Sequence, residues 1–330
     1  MRNMRTDIFF EHAAEQAAQR GLYRVELHEL AQAGFVRTGL EAGFLKAAHA
    51  LKEAAFPGQI HVCAITSAKT GRCGEDCAFC AQSARFYTDL TPHPLLSEDE
   101  LVRRGEEALA SGISRFGLVA SGGRLSPKEI VVVCHAAQRL TQAGIVVDVS
   151  PGMLNQEEFK QLREAGIGCI HHNLETSAGF YPRICTSHSW KQRAKVVQAA
   201  TEAGCSVCSG GIFGMGESWA DRVDLALCLR ELGVHSVPLN FLNPIAGTPL
   251  AHYPVLAAEE ALAIIALFRF ALPTAHIRIA GGRQRVFGNA LQDIFASGAS
   301  GVMVGDYLTT PGMSMKNFKA AAQSYGLRLV

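Results

Sequence analysis

The chain has 330 residues, 48% hydrophobic and 18% charged, a composition suited to a folded protein with a sizeable core. Its formal net charge of +1 gives no electrostatic case for nucleic acid or an anionic membrane as partner. Charged residues follow the N-terminus and the apolar runs are far shorter than a bilayer span, so no secretory leader and no membrane helix are expected. Ten cysteines without a leader indicate a reducing cytoplasm rather than disulfides.

Residues 1–57 read as helices, Ala-rich at 11–19 and 40–55, with no strand-like run. From residue 61 the pattern changes. Short β-branched runs at 61–66, 115–120, 145–149, 168–173, 206–210, 236–241, 277–281 and 301–304 alternate with amphipathic stretches. Those stretches lie at 98–110, 127–143, 156–164, 190–203, 219–232, 257–270 and 288–296, and a last helix is expected at 315–325. Eight strand–helix units predict an α/β fold, a (βα)₈ TIM-type barrel over 58–313. A helical extension (1–57) precedes it and a helical tail (314–330) follows. Gly144, Gly166, Gly204 and Gly233 fall where successive helices should end.

The densest chemical signal is Cys73-Gly-Glu-Asp-Cys77-Ala-Phe-Cys80. Three thiolates on one short loop suit a four-iron cluster, and they leave one iron free to take a small molecule. The alternative is a zinc knuckle, whose fourth ligand would have to come from as far away as His93 or Cys134. Cys205 and Cys208 form a second CxxC, but residues three apart on a strand point to opposite faces, so one of them alone faces the barrel interior. Cys205, Cys134, Cys169 and Cys228 read as structural thiols. By the same alternation one of His171 and His172 should face a site and the other pack outside.

The cysteine spacing, with Phe79 just before the third cysteine, resembles the signature of radical S-adenosylmethionine enzymes. Further segments narrow the resemblance: 68–83 around the cysteines, His172-Asn-Leu-Glu-Thr-Ser177, Cys208-Ser-Gly-Gly-Ile-Phe-Gly-Met-Gly-Glu217 and Val237-Pro-Leu-Asn240. Gly247-Thr-Pro-Leu250, Ile277-Arg-Ile-Ala-Gly-Gly-Arg283 and Gly305-Asp-Tyr-Leu-Thr-Thr-Pro-Gly312 continue it. Taken in order, this set is similar to the biotin synthase family, which inserts sulfur into dethiobiotin. The resemblance implies that Cys73, Cys77 and Cys80 hold a 4Fe-4S cluster whose open iron binds S-adenosylmethionine. It implies cofactor contacts from Phe79, Asn173 and Glu175, and from Gly210 and Gly211, whose backbone would approach the adenosine. Asn173 and Asn240 would meet dethiobiotin. A flavodoxin- or ferredoxin-type electron donor and a homodimer are implied as well.

The family uses an auxiliary cluster as sulfur source, held by three cysteines and an arginine. Cys208 and Arg278 stand at two of these positions, as the catalytic pair. The other two positions carry Gly117 and Asp148, neither suited to an iron–sulfide core. Cys63 and Cys185 are then candidates to complete a set of Cys63, Cys185, Cys208 and Arg278 around a 2Fe-2S or four-iron auxiliary cluster. The pattern is similar to biotin synthases of obligate anaerobes with altered ligands. The alternatives are a related radical enzyme with another small substrate, of hydrogenase-maturation or rearrangement type, or a non-catalytic iron–sulfur or zinc protein.

Overall fold

The computed structural model describes residues 2–288, 290–308, 312–324 and 326–330. Three residues of the 305–312 segment and the expected helix end at Tyr325 lie outside the described residues. The strands are β1 (Gln59–Lys69), β2 (Arg115–Ala120), β3 (Val146–Ser150), β4 (Ile167–His171), β5 (Ser206–Cys208), β6 (Gly211–Phe213), β7 (Ser236–Phe241), β8 (His276–Ile279), β9 (Gly301–Met303) and β10 (Arg328–Leu329). The helices are α1 (Arg2–Arg20), α2 (Arg24–Ala31), α3 (Ala42–Ala55), α4 (Glu98–Ala110), α5 (Pro127–Gln142) and α6 (Gln156–Glu164). They continue with α7 (Trp190–Glu202), α8 (Trp219–Glu231), α9 (Ala258–Ala271), α10 (Arg283–Phe287), α11 (Leu291–Ala296) and α12 (Met315–Ser324).

Parallel pairing runs β1-β2-β3-β4-β5-β7-β8-β9 and closes by β1 against β9, where Cys63 opposes Met303. The result is the expected eight-stranded (βα)₈ barrel. Strand alternation sorts each side chain inward or outward. On β1, Ile60, Val62 and Ala68 are buried away from the central cavity, whereas Cys63 and Ile65 line it.

The barrel helices start where a side chain can accept from their unpaired first-turn N–H groups. Ser97, Ser126, Asn155, Ser189 and Ser218 do this for α4 to α8, and in α5 to α8 the third helical residue answers back to the cap. Each cap is worth about 1 kcal/mol. It also fixes where a loop ends, and so shapes the face of the barrel at the strand C-termini.

The N-terminal helices cover α9. Phe44 of α3 stacks on Phe270 at 5.4 Å and Phe10 of α1 packs on Phe44 at the same separation. This explains why α9 is apolar all round and buried from Ala261 to Ala271. Burying each of these Phe side chains contributes roughly 1.5–3 kcal/mol. Among the described residues no helix is long and apolar enough to cross a membrane.

Several details differ from the sequence expectation. The 206–210 run ends at Cys208, and β6 takes over on the other side of Ser209 and Gly210, pairing with β7. The helix expected at 288–296 is formed only from Leu291, as α11, and an unexpected short helix, α10, precedes Gly288, at φ +54°. A π-helical turn at Gln32–Val36 follows α2, and β10 extends the sheet by pairing with the start of β1. The extension's packing and the β10 pairing tie both ends of the chain to the barrel.

Candidate active site

At its C-terminal end β1 turns sharply through Gly71 and Arg72, both with positive φ (+72° and +52°). The cysteine loop follows. Backbone bonds from Cys73 N to Gln82 O (3.0 Å) and from Ala84 N to Cys73 O (2.7 Å) close it into a ring. Cys73, Cys77 and Cys80 are free thiols, each partly exposed. Burial raises the Cys80 thiol to about 11, and a bound cationic metal core would reverse that preference.

Below the loop lies a cavity of about 350 Å³, at the strand C-termini where barrel enzymes place their chemistry. It is lined near the loop by Phe79 and Cys80, and toward the floor by Cys63, Cys208 and Arg278. The two cysteine groups singled out in the sequence therefore face one space.

On the cavity wall, Glu175 adopts φ +69°, a conformation that costs a non-glycine residue of order 1–3 kcal/mol and that clusters at functional sites. Arg193 of α7 holds it there. It donates to Glu175 Oε1 (3.2 Å), to Asn173 O (2.6 Å) and to His188 Nε2 (3.2 Å). Burial pushes the Glu175 carboxyl upward, against the pull of Arg193. Glu175 Oε2 is buried without a protein partner, aimed where a ribose hydroxyl could donate to it. Arg193 went unnoticed in the sequence. Its signal is position: fourth residue of a helix opened by the Ser189 cap, beside the 172–177 segment.

Asn173 lines the cavity, with Oδ1 accepting from Gly210 N at 3.1 Å. Asn240 also lines it, but much of its amide is spent on the barrel: Nδ2 donates to Gly211 O (3.1 Å) and Oδ1 accepts from Gly281 N (2.9 Å). One N–H and the remaining lone pairs are left for a ligand.

Glycine is required at 210 and 211, and the reading of the paired histidines needs correction. A Cβ on Gly210 would lie 1.9 Å from Pro238 O, and one on Gly211 would lie 2.5 Å from Glu175 O. The protein's own backbone already requires glycine at both positions. His171 and His172 both line the cavity, because β4 ends at His171 and strand alternation no longer governs the next residue. Burial keeps both imidazoles neutral, lowering His171 to about 4 and His172 well below its usual value.

The floor is built from one side chain per strand. Ser236 links two of the expected residues: it accepts from Arg278 Nε (3.0 Å) and donates to Cys208 Sγ (3.3 Å). Arg278 Nη1 is buried and has no hydrogen-bond partner among the described residues. Asp148 does not stand free as a ligand. It forms a two-pronged pair with Arg115 at 2.7 and 2.9 Å. Beside Gly117, Ile65 Cγ2 lies 3.0 Å from where a Cβ would sit.

Cys185 is the second large correction. Its Sγ lies 3.8 Å from Cys77 Sγ, against the cysteine loop, and not with Cys63 and Cys208. The cause is local pairing: Ala78 N donates to Ile184 O, and Asp76 Oδ1 accepts from Thr186 N and Ser187 N. Cys169 is buried in β4 behind the residues that line the cavity, close to the floor. It shares strand parity with cavity-lining His171, it opposes Asp148 in the sheet, and its thiol is raised by burial and then by neighbouring Cys208. Cys63, raised by burial, feels Arg278 most among its charged neighbours. Soft thiols around an unpaired buried guanidinium N–H fit an iron–sulfide core.

Comparisons with known proteins agree with this geometry. A radical SAM superfamily profile matches residues 67–229, and a biotin and thiamin synthesis associated domain profile matches residues 238–328. The chain is 45% identical over 285 residues to the biotin synthase of Nitratidesulfovibrio vulgaris strain Hildenborough, covering 86% of this chain and 79% of that one. It is 46% identical over 268 residues to the Geobacter metallireducens biotin synthase, covering 81% and 82%. Biotin synthase 2 of Corynebacterium diphtheriae is 45% identical over 267 residues, covering 80% and 81%. Methylornithine synthase shares the fold, with TM-score 0.80 at 17% identity over 96% of this chain and 97% of that one. So does the [FeFe]-hydrogenase maturase HydG, at 0.82 and 17% identity over 98% and 75%. At the identity of the three curated relatives, over most of its length, the chain belongs to the biotin synthase family of radical S-adenosylmethionine enzymes.

Proposed function

We propose that this chain converts dethiobiotin to biotin, with Cys73, Cys77 and Cys80 holding the 4Fe-4S cluster and Cys63, Cys169, Cys208 and Arg278 holding the auxiliary one. The observation that carries the reading is the single cavity shared by Cys80 above and Cys63, Cys208 and Arg278 below. When bound, the first cluster and S-adenosylmethionine supply a 5′-deoxyadenosyl radical that takes hydrogen from unactivated carbon, and the auxiliary cluster supplies sulfur.

The protein's part is positioning and exclusion of water. Arg193 fixes the Glu175 carboxylate, whose free Oε2 would accept from the cofactor's ribose. Phe79 packs beside the cofactor and the neutral His171 and His172 line the wall without adding charge. Asn173 and Asn240 offer dethiobiotin their remaining hydrogen-bonding capacity. Ser236 holds Arg278 and Cys208 in register, so that Arg278 Nη1 would be available to an auxiliary cluster. Arg115 and Asp148 neutralise each other in a two-pronged pair, so Arg278 is the cation available to an anionic thiolate–sulfide core. A flavodoxin- or ferredoxin-type electron donor and a homodimer in the cytoplasm belong to the same reading and rest on the family resemblance.

The test is a Cys208→Ala variant supplied with S-adenosylmethionine, a reductant and dethiobiotin. It should cleave the cofactor yet form no biotin above background. Biotin formed at the wild-type rate would refute the floor's role.

A further inference from the structure

Apart from the floor, the fold gathers a second set of metal-competent side chains at the outer edge of the cysteine loop: Cys77, Cys185 and His188. Cys185 and His188 are 4% and 7% exposed. Their separations have the size of a coordination polyhedron. A tetrahedral ion with bonds of about 2.3 Å to sulfur and about 2.0–2.1 Å to nitrogen sets S–S edges of ~3.8 Å and S–N edges of ~3.6 Å. Cys77 Sγ and Cys185 Sγ are 3.8 Å apart, and Cys185 Sγ is 3.4 Å from His188 Nδ1.

The geometry points to a mononuclear site for a divalent ion of the zinc class, formed by Cys77, Cys185 and His188 in the cluster-free protein. Two thiolates neutralise the ion, and their two protons leave to solvent. His188 Nδ1, now against Glu75 Oε2 at 2.8 Å, takes the ion as a lone-pair donor, and its proton moves to Nε2. Nε2–H then donates to the Tyr181 hydroxyl at 2.8 Å, the outer-partner arrangement of metal-bound histidines, and the 3.2 Å contact from Arg193 is given up. Glu75 is released from Nδ1, and water completes the tetrahedron, since the clustered donors are Cys77, Cys185 and His188 alone among the described residues. The segment is braced for this by Asp76 Oδ1, which accepts from Thr186 N at 2.9 Å and Ser187 N at 3.0 Å. Asp76 Oδ1 is itself 3.3 Å from Cys185 Sγ.

The consequence is competition. Cys77 serves both this ion and the 4Fe-4S cluster, so a zinc-class ion bound here blocks cluster assembly. The inference depends on these side chains alone, and its test separates it from the biotin reading.

The experiment titrates Co²⁺ into anaerobic, cluster-free, full-length protein, following the thiolate-to-cobalt charge-transfer and tetrahedral ligand-field bands. Wild type and a Cys73→Ala/Cys80→Ala variant should bind one Co²⁺ with matching spectra, although that variant cannot assemble the 4Fe-4S cluster. Cys185→Ser and His188→Gln should each weaken binding at least tenfold, by about the range lost when metal partners are removed. Cluster reconstitution at Cys73, Cys77 and Cys80 in Cys185→Ser reports that the variant is folded, and His188→Gln provides an independent readout. Absence of tetrahedral Co²⁺ in wild type, its loss in Cys73→Ala/Cys80→Ala, or wild-type affinity in both Cys185→Ser and His188→Gln would overturn the proposal.

Discussion

The cysteine loop and the barrel floor are both sulfur-rich, yet they are built in opposite ways. The loop draws Cys73, Cys77 and Cys80 from eight consecutive residues, partly exposed and closed by local backbone bonds. The floor draws Cys63, Cys208 and Arg278 from three strands up to 215 positions apart (278 − 63 = 215), and the proposed ligand Cys169 belongs to a fourth, all set by parallel register. A contiguous ligand set survives changes elsewhere because its spacing is local. A distributed one can trade ligands between strands, since any inward-facing position at the same depth reaches the same space.

Exchange of ligands between strands is most sharply tested at Cys169. Cys169→Ala should remove the auxiliary cluster's iron and abolish biotin formation, with S-adenosylmethionine cleavage at the loop retained. Unchanged iron and sulfide would return Cys169 to a packing role. At the wall joining the two regions, Arg193→Ala leaves Glu175 buried without its cation, and should destabilise the fold by about 3–5 kcal/mol in denaturant unfolding. It should also weaken S-adenosylmethionine binding, and unaltered affinity would mean that Glu175 does not meet the cofactor.

A smaller effect is expected at Asp148. Asp148→Asn keeps the shape but removes the charge facing Arg115, at a cost of about 1.5–3 kcal/mol. Iron content should not change, and its loss would identify Asp148 as a ligand after all. The smallest effect comes from the buried histidines. Burial lowers His171 to about 4 and His276 to about 3, below the unfolded value near 6.5. The unfolded chain therefore takes up protons first as pH falls. Stability from these groups is intact above about pH 6.5 and declines as pH drops toward 4 and then 3, by on the order of 1–3 kcal/mol each. Thermal unfolding of His276→Asn should show a flatter acid limb than wild type.

How much was legible in the sequence follows from the same contrast. Periodicity located the eight barrel strands, and two of them, β2 and β7, match the expected bounds. Strand alternation correctly singled out Cys208 over Cys205: Cys208 lines the cavity, and Cys205 packs toward Phe159 O. It did not extend to His172, just beyond a strand end, or to Gly210 and Gly211, whose crowding comes from β7 and the 173–175 segment. Cys169, read from the sequence as a structural thiol, is buried in β4 opposite Asp148, and its proposed role rests on that cross-strand neighbour, which one strand's sequence does not reveal. Cys185 misled because loop contacts between 75–78 and 184–188 join segments more than a hundred residues apart. The Arg115–Asp148 pair was hidden for the same reason, since it forms across the β2–β3 register.

The central claim is that a second cluster sits on the floor despite Gly117 and Asp148. The most direct measurement is iron and sulfide content of anaerobically reconstituted wild type beside a Cys73→Ala/Cys77→Ala/Cys80→Ala variant. The account predicts that the variant keeps substantial iron and sulfide, held by Cys63, Cys169, Cys208 and Arg278. An empty variant beside a wild type with about four irons, the complement of the loop alone, would contradict it.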